Sequence, residues 1–139
     1  MSHQSLALPD GWQELRTASR AVREMAHAPY SRFHVGAALQ TGSGAIFHGC
    51  NVENASYGGT ICAERMAVGA AVAAGEKDIA AICISLTGTP VPCGICRQFL
   101  YEFNPEMLVL LDDLNDGAPA EPECLRLSDL LPRGFRLDP

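Results

Sequence analysis

The chain has 139 residues, 47% apolar and 19% charged, a balance ordinary for a globular protein that rules out chain-wide disorder or collagen-like repetition. At one domain per ~150 residues it has room for a single core, expected across residues 1–139 and centred on about 10–136. A formal net charge of −6 disfavours a polynucleotide partner, because phosphate contacts demand a basic patch.

The N-terminal MSHQSLALPDGW lacks a basic leader and a continuous apolar run, so a cytoplasmic location is expected. Residues 10–26 place Trp12, Leu15, Ala18, Val22 and Met25 at steps of three or four, which predicts an amphipathic helix with Asp10 as N-cap, ended by Pro29. Alternation from Phe33 through Val35, Ala37 and Leu39 predicts a strand. TGSG at 41–44 is its turn, and Ala45–Cys50 returns as the second strand of a hairpin. Asn51–Ile61 reads as a loop. Cys62–Ala74 is an alanine-rich helix with no strongly charged face, which points to burial. The longest apolar stretch, Met66 to Gly75, is ten residues, whereas a membrane helix needs ~20, so no membrane partner is expected.

Ile79–Leu86 is a short apolar run rich in β-branched residues and predicts a central strand. Cys93–Phe103 follows as a helix with Pro92 just ahead and Pro105 beyond, and Met107–Leu111 as another buried strand. Past Asp112 the chain is acidic and proline-rich, with one short helix expected where Ser128 caps Asp129–Leu131. The order implies an α/β fold, a three-layer α/β/α sandwich on a mixed, roughly five-stranded sheet.

Six cysteines, at 50, 62, 83, 93, 96 and 124, are read in a reducing cytoplasm as ligands, nucleophiles or core residues rather than disulfides. Cys62 and the pair Cys93 and Cys96 each fall at the start of a helix that follows a loop, so three thiols can converge at helix N-termini. The helix dipole and the unpaired N–H groups of a first turn favour the thiolates that zinc requires. Three protein ligands would leave one zinc ion per chain with an open fourth position, the mark of a catalytic site. Glu64, two residues after Cys62, stands where a carboxylate can shuttle a proton without binding the metal. Three thiolates on Zn²⁺ carry a net negative charge that blunts its acidity, so a charge-withdrawing neighbour is needed. Arg65 is the better candidate to hydrogen-bond a ligand sulfur, and Arg97 the weaker one.

At these residues the sequence resembles a known family. CAER at 62–65 with PCGICRQ at 92–98 is similar to the two-part zinc signature of the small, homotetrameric cytidine and deoxycytidine deaminases. SRFHVGAAL at 31–39, GCNVENASY at 49–57 and LLPRGF at 130–135 resemble further segments of that family in the same order. The resemblance implies zinc on Cys62, Cys93 and Cys96, with Glu64 as proton carrier. It implies that Asn51 and Glu53 hold the ribose 3′-hydroxyl, that Phe33 flanks the pyrimidine and that the Ala63 backbone faces the base. Phe135 would reach a neighbouring subunit's site and Tyr57 would sit at a subunit boundary of a homotetramer. The activity implied is hydrolytic deamination of cytidine and 2′-deoxycytidine to uridine and 2′-deoxyuridine with release of ammonia, a step of pyrimidine salvage. His34 and the GGTI loop at 58–61 depart mildly from the family pattern and bear on fine substrate preference.

Plainer readings stand beside these. A CxxC pair also serves closed structural zinc sites, here with Cys124 or Cys50 as a fourth ligand. Otherwise Cys50 and Cys83 read as small buried hydrophobes, Cys124 as a free thiol in an acidic loop, and His27, His34 and His48 as surface or core residues. Rival functions are a deaminase of another aminopyrimidine nucleoside, such as a nucleoside antibiotic, and a non-catalytic zinc-stapled assembly module. A base inside a polynucleotide is disfavoured, because a carboxylate that accepts a 3′-hydroxyl repels a 3′-phosphate.

Overall fold

In the computed structural model, which describes residues 4–139, the elements run α1 (Trp12–Arg23), β1 (Gly36–Thr41), β2 (Ile46–Cys50), α2 (Ala63–Ala73), β3 (Ile79–Leu86), α3 (Gly94–Tyr101), β4 (Leu108–Asp113), β5 (Glu123–Arg126) and α4 (Leu127–Leu130). The strands form one mixed sheet in the order β2-β1-β3-β4-β5. β1 is antiparallel to both β2 and β3, β3 is parallel to β4, and β5 returns antiparallel. A parallel pair needs a crossover, and α3 supplies it.

Alternation along the strands sends side chains into two layers. On one face Ala38, Cys83, Leu110 and Cys124 pack under Leu15 of α1. On the other, Leu39, Ile82, Ile84 and Val109 pack with Val68 of α2, Leu100 of α3 and Leu127 of α4. Each such leucine or isoleucine, fully buried, contributes roughly 2 kcal/mol. The result is the three-layer α/β/α arrangement.

Register decides where chemistry can be built. Gly36 pairs with Cys50 on one side and Ser85 on the other, so the entry to β1 and the exits of β2 and β3 meet at one end of the sheet. α2 and α3 both follow exits at that end, where ligand sites of open α/β sheets form. Gly49 lets α2 lie directly on β2, because a Cβ there would strike the Ala67 amide nitrogen and come within 2.8 Å of the Ala63 carbonyl oxygen.

The α1 face is fastened by polar groups. The Ser19 hydroxyl donates to the carbonyls of Gly36 and Cys83, each at 3.1 Å. Arg20 grips Asp112 with two bonds of 2.8 Å, and Ser85 donates to the same carboxylate at 2.6 Å.

Several expected boundaries shift. Gly11, at φ +80°, occupies the N-cap of α1 in place of Asp10, and Trp12 N–H bonds back to the Pro9 carbonyl, so a backbone turn starts the helix. The helix stops at Arg23 because the chain is drawn off to pair with the segment after β2: His27 N–H donates to Asn51 O and Glu53 N–H to His27 O. Met25, expected on the buried face, is exposed. Residues 33–35 lie outside β1, bonded instead to side chains of Asn51 and Arg23. β5 arises within the acidic tail and buries Cys124, which is therefore a core residue and not a loop thiol. α4 starts before Ser128, whose N–H bonds to Pro105 O, so Ser128 caps nothing.

Candidate metal centre and substrate pocket

Cys62 and Cys93 are the N-cap residues of α2 and α3, and Cys96 lies in the first turn of α3. The carbonyls of Cys62 and Cys93 take the first helical bonds, from Met66 and Arg97, while neither side chain caps its helix. The sulfurs are thereby left for another task. The ligand atoms of Cys62, Cys93 and Cys96 all lie within 4.8 Å of one another, and Cys62 Sγ is 4.0 Å from Cys93 Sγ. Among the described residues no fourth histidine, cysteine or carboxylate joins this group, so neither Cys50 nor Cys124 closes it.

This donor set fits zinc. Soft thiolates suit it, and three protein ligands are the number that a catalytic zinc would take. The Cys62 thiol is drawn down to about 5, chiefly by a hydrogen bond from Cys96 and further by Arg65 and Cys93, while Cys96 is pushed up, chiefly by its hydrogen bond to Cys62. Arg65 Nη2 donates to the Thr60 carbonyl at 3.1 Å and stands 3.9 Å from Cys62 Sγ. Its Nε is buried with no partner among the described residues. Arg97 is not placed at a sulfur: its guanidinium bonds to the carbonyls of Pro92 (2.7 Å) and Leu130 (3.0 Å) and ties the approach to Cys93 onto α4.

Glu64, only 4% exposed, lies outside the sulfur cluster and lines a cavity of about 210 Å³ together with Cys62, Ala63 and Cys93. Burial, and then the negative charge of Cys62, raise its carboxyl above the ordinary carboxylate range. Phe33 and Asn51 complete the polar and aromatic part of the wall. Val35, Ile84, Leu86 and Val91 supply an apolar side that sequence patterning did not mark. Leu86 and Val91 flank the exit of β3, and the rule that ligands sit beyond strand carboxyl ends could have found them.

Asn51 braces the cavity as well as lining it. Its Oδ1 accepts from Val35 N–H at 2.9 Å and its Nδ2 donates to Phe33 O at 2.8 Å. Arg23 Nε adds a bond to His34 O at 3.0 Å. Glu53 lines an adjoining recess with Tyr30, Ser31, Tyr57 and Thr60, and Thr60 also lines the cavity holding Glu64. Hydrogen bonds from the hydroxyl and N–H of Ser31 and the N–H of Tyr30 hold the Glu53 carboxyl below its usual range. Tyr57 is 77% exposed, edge-on to Tyr30 at 6.2 Å. Phe135, 64% exposed, does not line its own chain's cavity, and its carbonyl accepts from Gln98.

Residues 12–111 match the family described as the cytidine and deoxycytidylate deaminase zinc-binding region. A cytidine deaminase of Sporosarcina psychrophila is 41% identical over 126 residues, covering 88% of this chain and 90% of the relative. One from Mycobacterium tuberculosis is 42% identical over 134 residues, covering 94% and 95%. The crystal structure of cytidine deaminase from Burkholderia pseudomallei superimposes with a TM-score of 0.82 at 45% identity, over 88% of this chain and 98% of that one.

Proposed function

This chain belongs to the family of zinc-binding cytidine and deoxycytidylate deaminases, and from that premise we propose that it removes the 4-amino group of free cytidine and 2′-deoxycytidine. It is a hydrolytic deaminase with zinc as its cofactor. Cys62, Cys93 and Cys96 would hold the zinc, which would supply a Lewis acid for activating water. Glu64 accepts the proton of the water that attacks C4 and passes it to N3. The same carboxylate then takes the proton of the new C4 hydroxyl and hands it to the amine, the C4–N bond breaks, and water and cytidine have become uridine and ammonia. The observation that carries this reading is a buried carboxyl with raised proton affinity, beside three sulfurs yet outside their cluster. A merely structural zinc staple has no use for such a group.

Phe33 flanks the base, the Ala63 backbone faces it, and Asn51 and Glu53 hold the 3′-hydroxyl. Arg65 offsets the charge of the three sulfurs. The protein acts in the cytoplasm as a homotetramer, with Tyr57 at a boundary and Phe135 entering a neighbour's site. An exposed apolar groove of Ile61, Met66, Gly69, Ala70 and Phe99 beside α2 supports the assembly. A substrate panel tests the function: ammonia release and loss of aminopyrimidine absorbance with cytidine and deoxycytidine, and far less with cytosine or adenosine, while cytidine monophosphate reports whether a 5′-phosphate is tolerated. Turnover only of another aminopyrimidine nucleoside, or none at all, contradicts it. For the assembly, a tetramer by light scattering is expected, and a fully active monomer rejects it.

A further inference from the structure

Glu53 is not a free carboxylate awaiting a ligand. Its Oε1 accepts from Tyr30 N–H at 3.0 Å and Ser31 N–H at 3.1 Å, and its Oε2 accepts from the Ser31 hydroxyl. A carboxylate offers about four acceptor positions. Residues 30 and 31 occupy three of them, and the one left over belongs to Oε2. The Ser31 hydroxyl is itself committed, since Phe33 N–H donates to it at 3.0 Å across Arg32, which holds the left-handed conformation at φ +59°. With its acceptor side taken by that amide, the hydroxyl's only hydrogen goes to Glu53.

We propose that Ser31 is a specificity-determining residue that makes Glu53 a one-hydroxyl acceptor, so that the site holds the 3′-hydroxyl common to both sugars and gains nothing from the 2′-hydroxyl. This rests on the reading of Glu53 as the sugar carboxylate. The cis 2′,3′-diol of ribose presents two neighbouring donors, which two free positions on Oε2 would bind together, since Oε1 is filled by backbone N–H groups. Ser31 denies that grip. Ribose and deoxyribose substrates are thereby accepted alike, and removing the hydroxyl frees a position on Oε2 that only ribose can use.

The test is the ratio of kcat/KM for cytidine to that for 2′-deoxycytidine, both measured on one preparation, so that loss of folded enzyme cancels. The wild type is expected within about threefold of unity. Ser31→Ala shifts the ratio about tenfold toward cytidine, the worth of one added hydrogen bond to a carboxylate. Ser31→Thr, which keeps the hydroxyl, retains the wild-type ratio. Ser31→Cys, a weak donor of similar size, moves the ratio in the same direction as alanine and serves if the alanine variant does not fold. Glu53→Gln is run alongside and raises KM for cytidine about tenfold while leaving cytosine unaffected. If Glu53→Gln behaves so but Ser31→Ala or Ser31→Cys leaves the ratio unmoved, or Ser31→Thr shifts it equally, the Ser31 proposal is overturned and the Glu53 reading stands. If Glu53→Gln leaves cytidine KM unchanged, the sugar reading itself fails and the proposal with it.

Discussion

Two buried carboxyl groups sit on opposite faces of the same sheet. Asp112, 3% exposed under α1, accepts two bonds from Arg20 and one from Ser85. Glu64, 4% exposed at the start of α2, has among the described residues only a thiol, Cys96, and its own backbone N–H as hydrogen-bond partners, and it faces a cavity beside three sulfurs. Burial is the same and the partners are not. A carboxylate locked by a guanidinium and a hydroxyl is part of the scaffold, whereas one that faces a cavity with a raised proton affinity can take up and release a proton.

Substitutions that strike one face and spare the other sharpen this contrast. The largest effect is expected at the metal: Cys96→Ala leaves two sulfurs for zinc, and both bound zinc by elemental analysis and turnover fall to background. Retained stoichiometric zinc would break the assignment. On the α1 face, Asp112→Ala strands Arg20 and the Ser85 hydroxyl and should cost about 3 kcal/mol in urea unfolding. Zinc content and kcat/KM of the folded fraction should hold within about twofold, as expected of a group that only fastens.

Gly49→Ala is intermediate. Its new Cβ presses on the Ala63 carbonyl and Ala67 amide, so a loss of about 2 kcal/mol is expected, together with weaker zinc retention because α2 carries Cys62. Equal stability with normal zinc binding would show that the close contact positions nothing. The smallest effect concerns pH at Glu53. Its carboxyl is held below the ordinary range, so its charged, hydrogen-bonded form contributes above the unfolded-state pKa and is lost only as pH falls through the lower folded value. KM for cytidine should therefore stay flat from pH 7 to about 5, and an early rise would contradict the hydrogen-bonded state of that carboxylate.

Most of the sheet and the three-cysteine cluster were legible in the sequence because both are local patterns. β3 matches its apolar run from Ile79 to Leu86, and Cys62, Cys93 and Cys96 stand at helix starts that prolines and loops announce. The roles of Asn51 and Arg97 were less legible, since Asn51 binds the backbone of residues 33 and 35 and Arg97 reaches Leu130, long-range bonds that no spacing encodes. β5 was hidden by the acidic residues that flank its buried Cys124 and Leu125. Ser31 and Thr60 stand in segments that the sequence marks, yet neither hydroxyl had a part assigned, because a hydroxyl in a loop gains meaning only from the carboxylate or cavity that the fold brings to it.

The most direct test of the central contrast is Glu64→Gln, measured for zinc content, unfolding free energy and turnover in one preparation. The amide has the same size but cannot carry a proton. Zinc should remain near one per chain, stability should stay level or rise because a buried group no longer ionises, and kcat should fall by at least about 10³-fold. A variant that keeps a tenth of wild-type turnover, or one that loses its zinc and unfolds, would show that Glu64 belongs to the scaffold as Asp112 does.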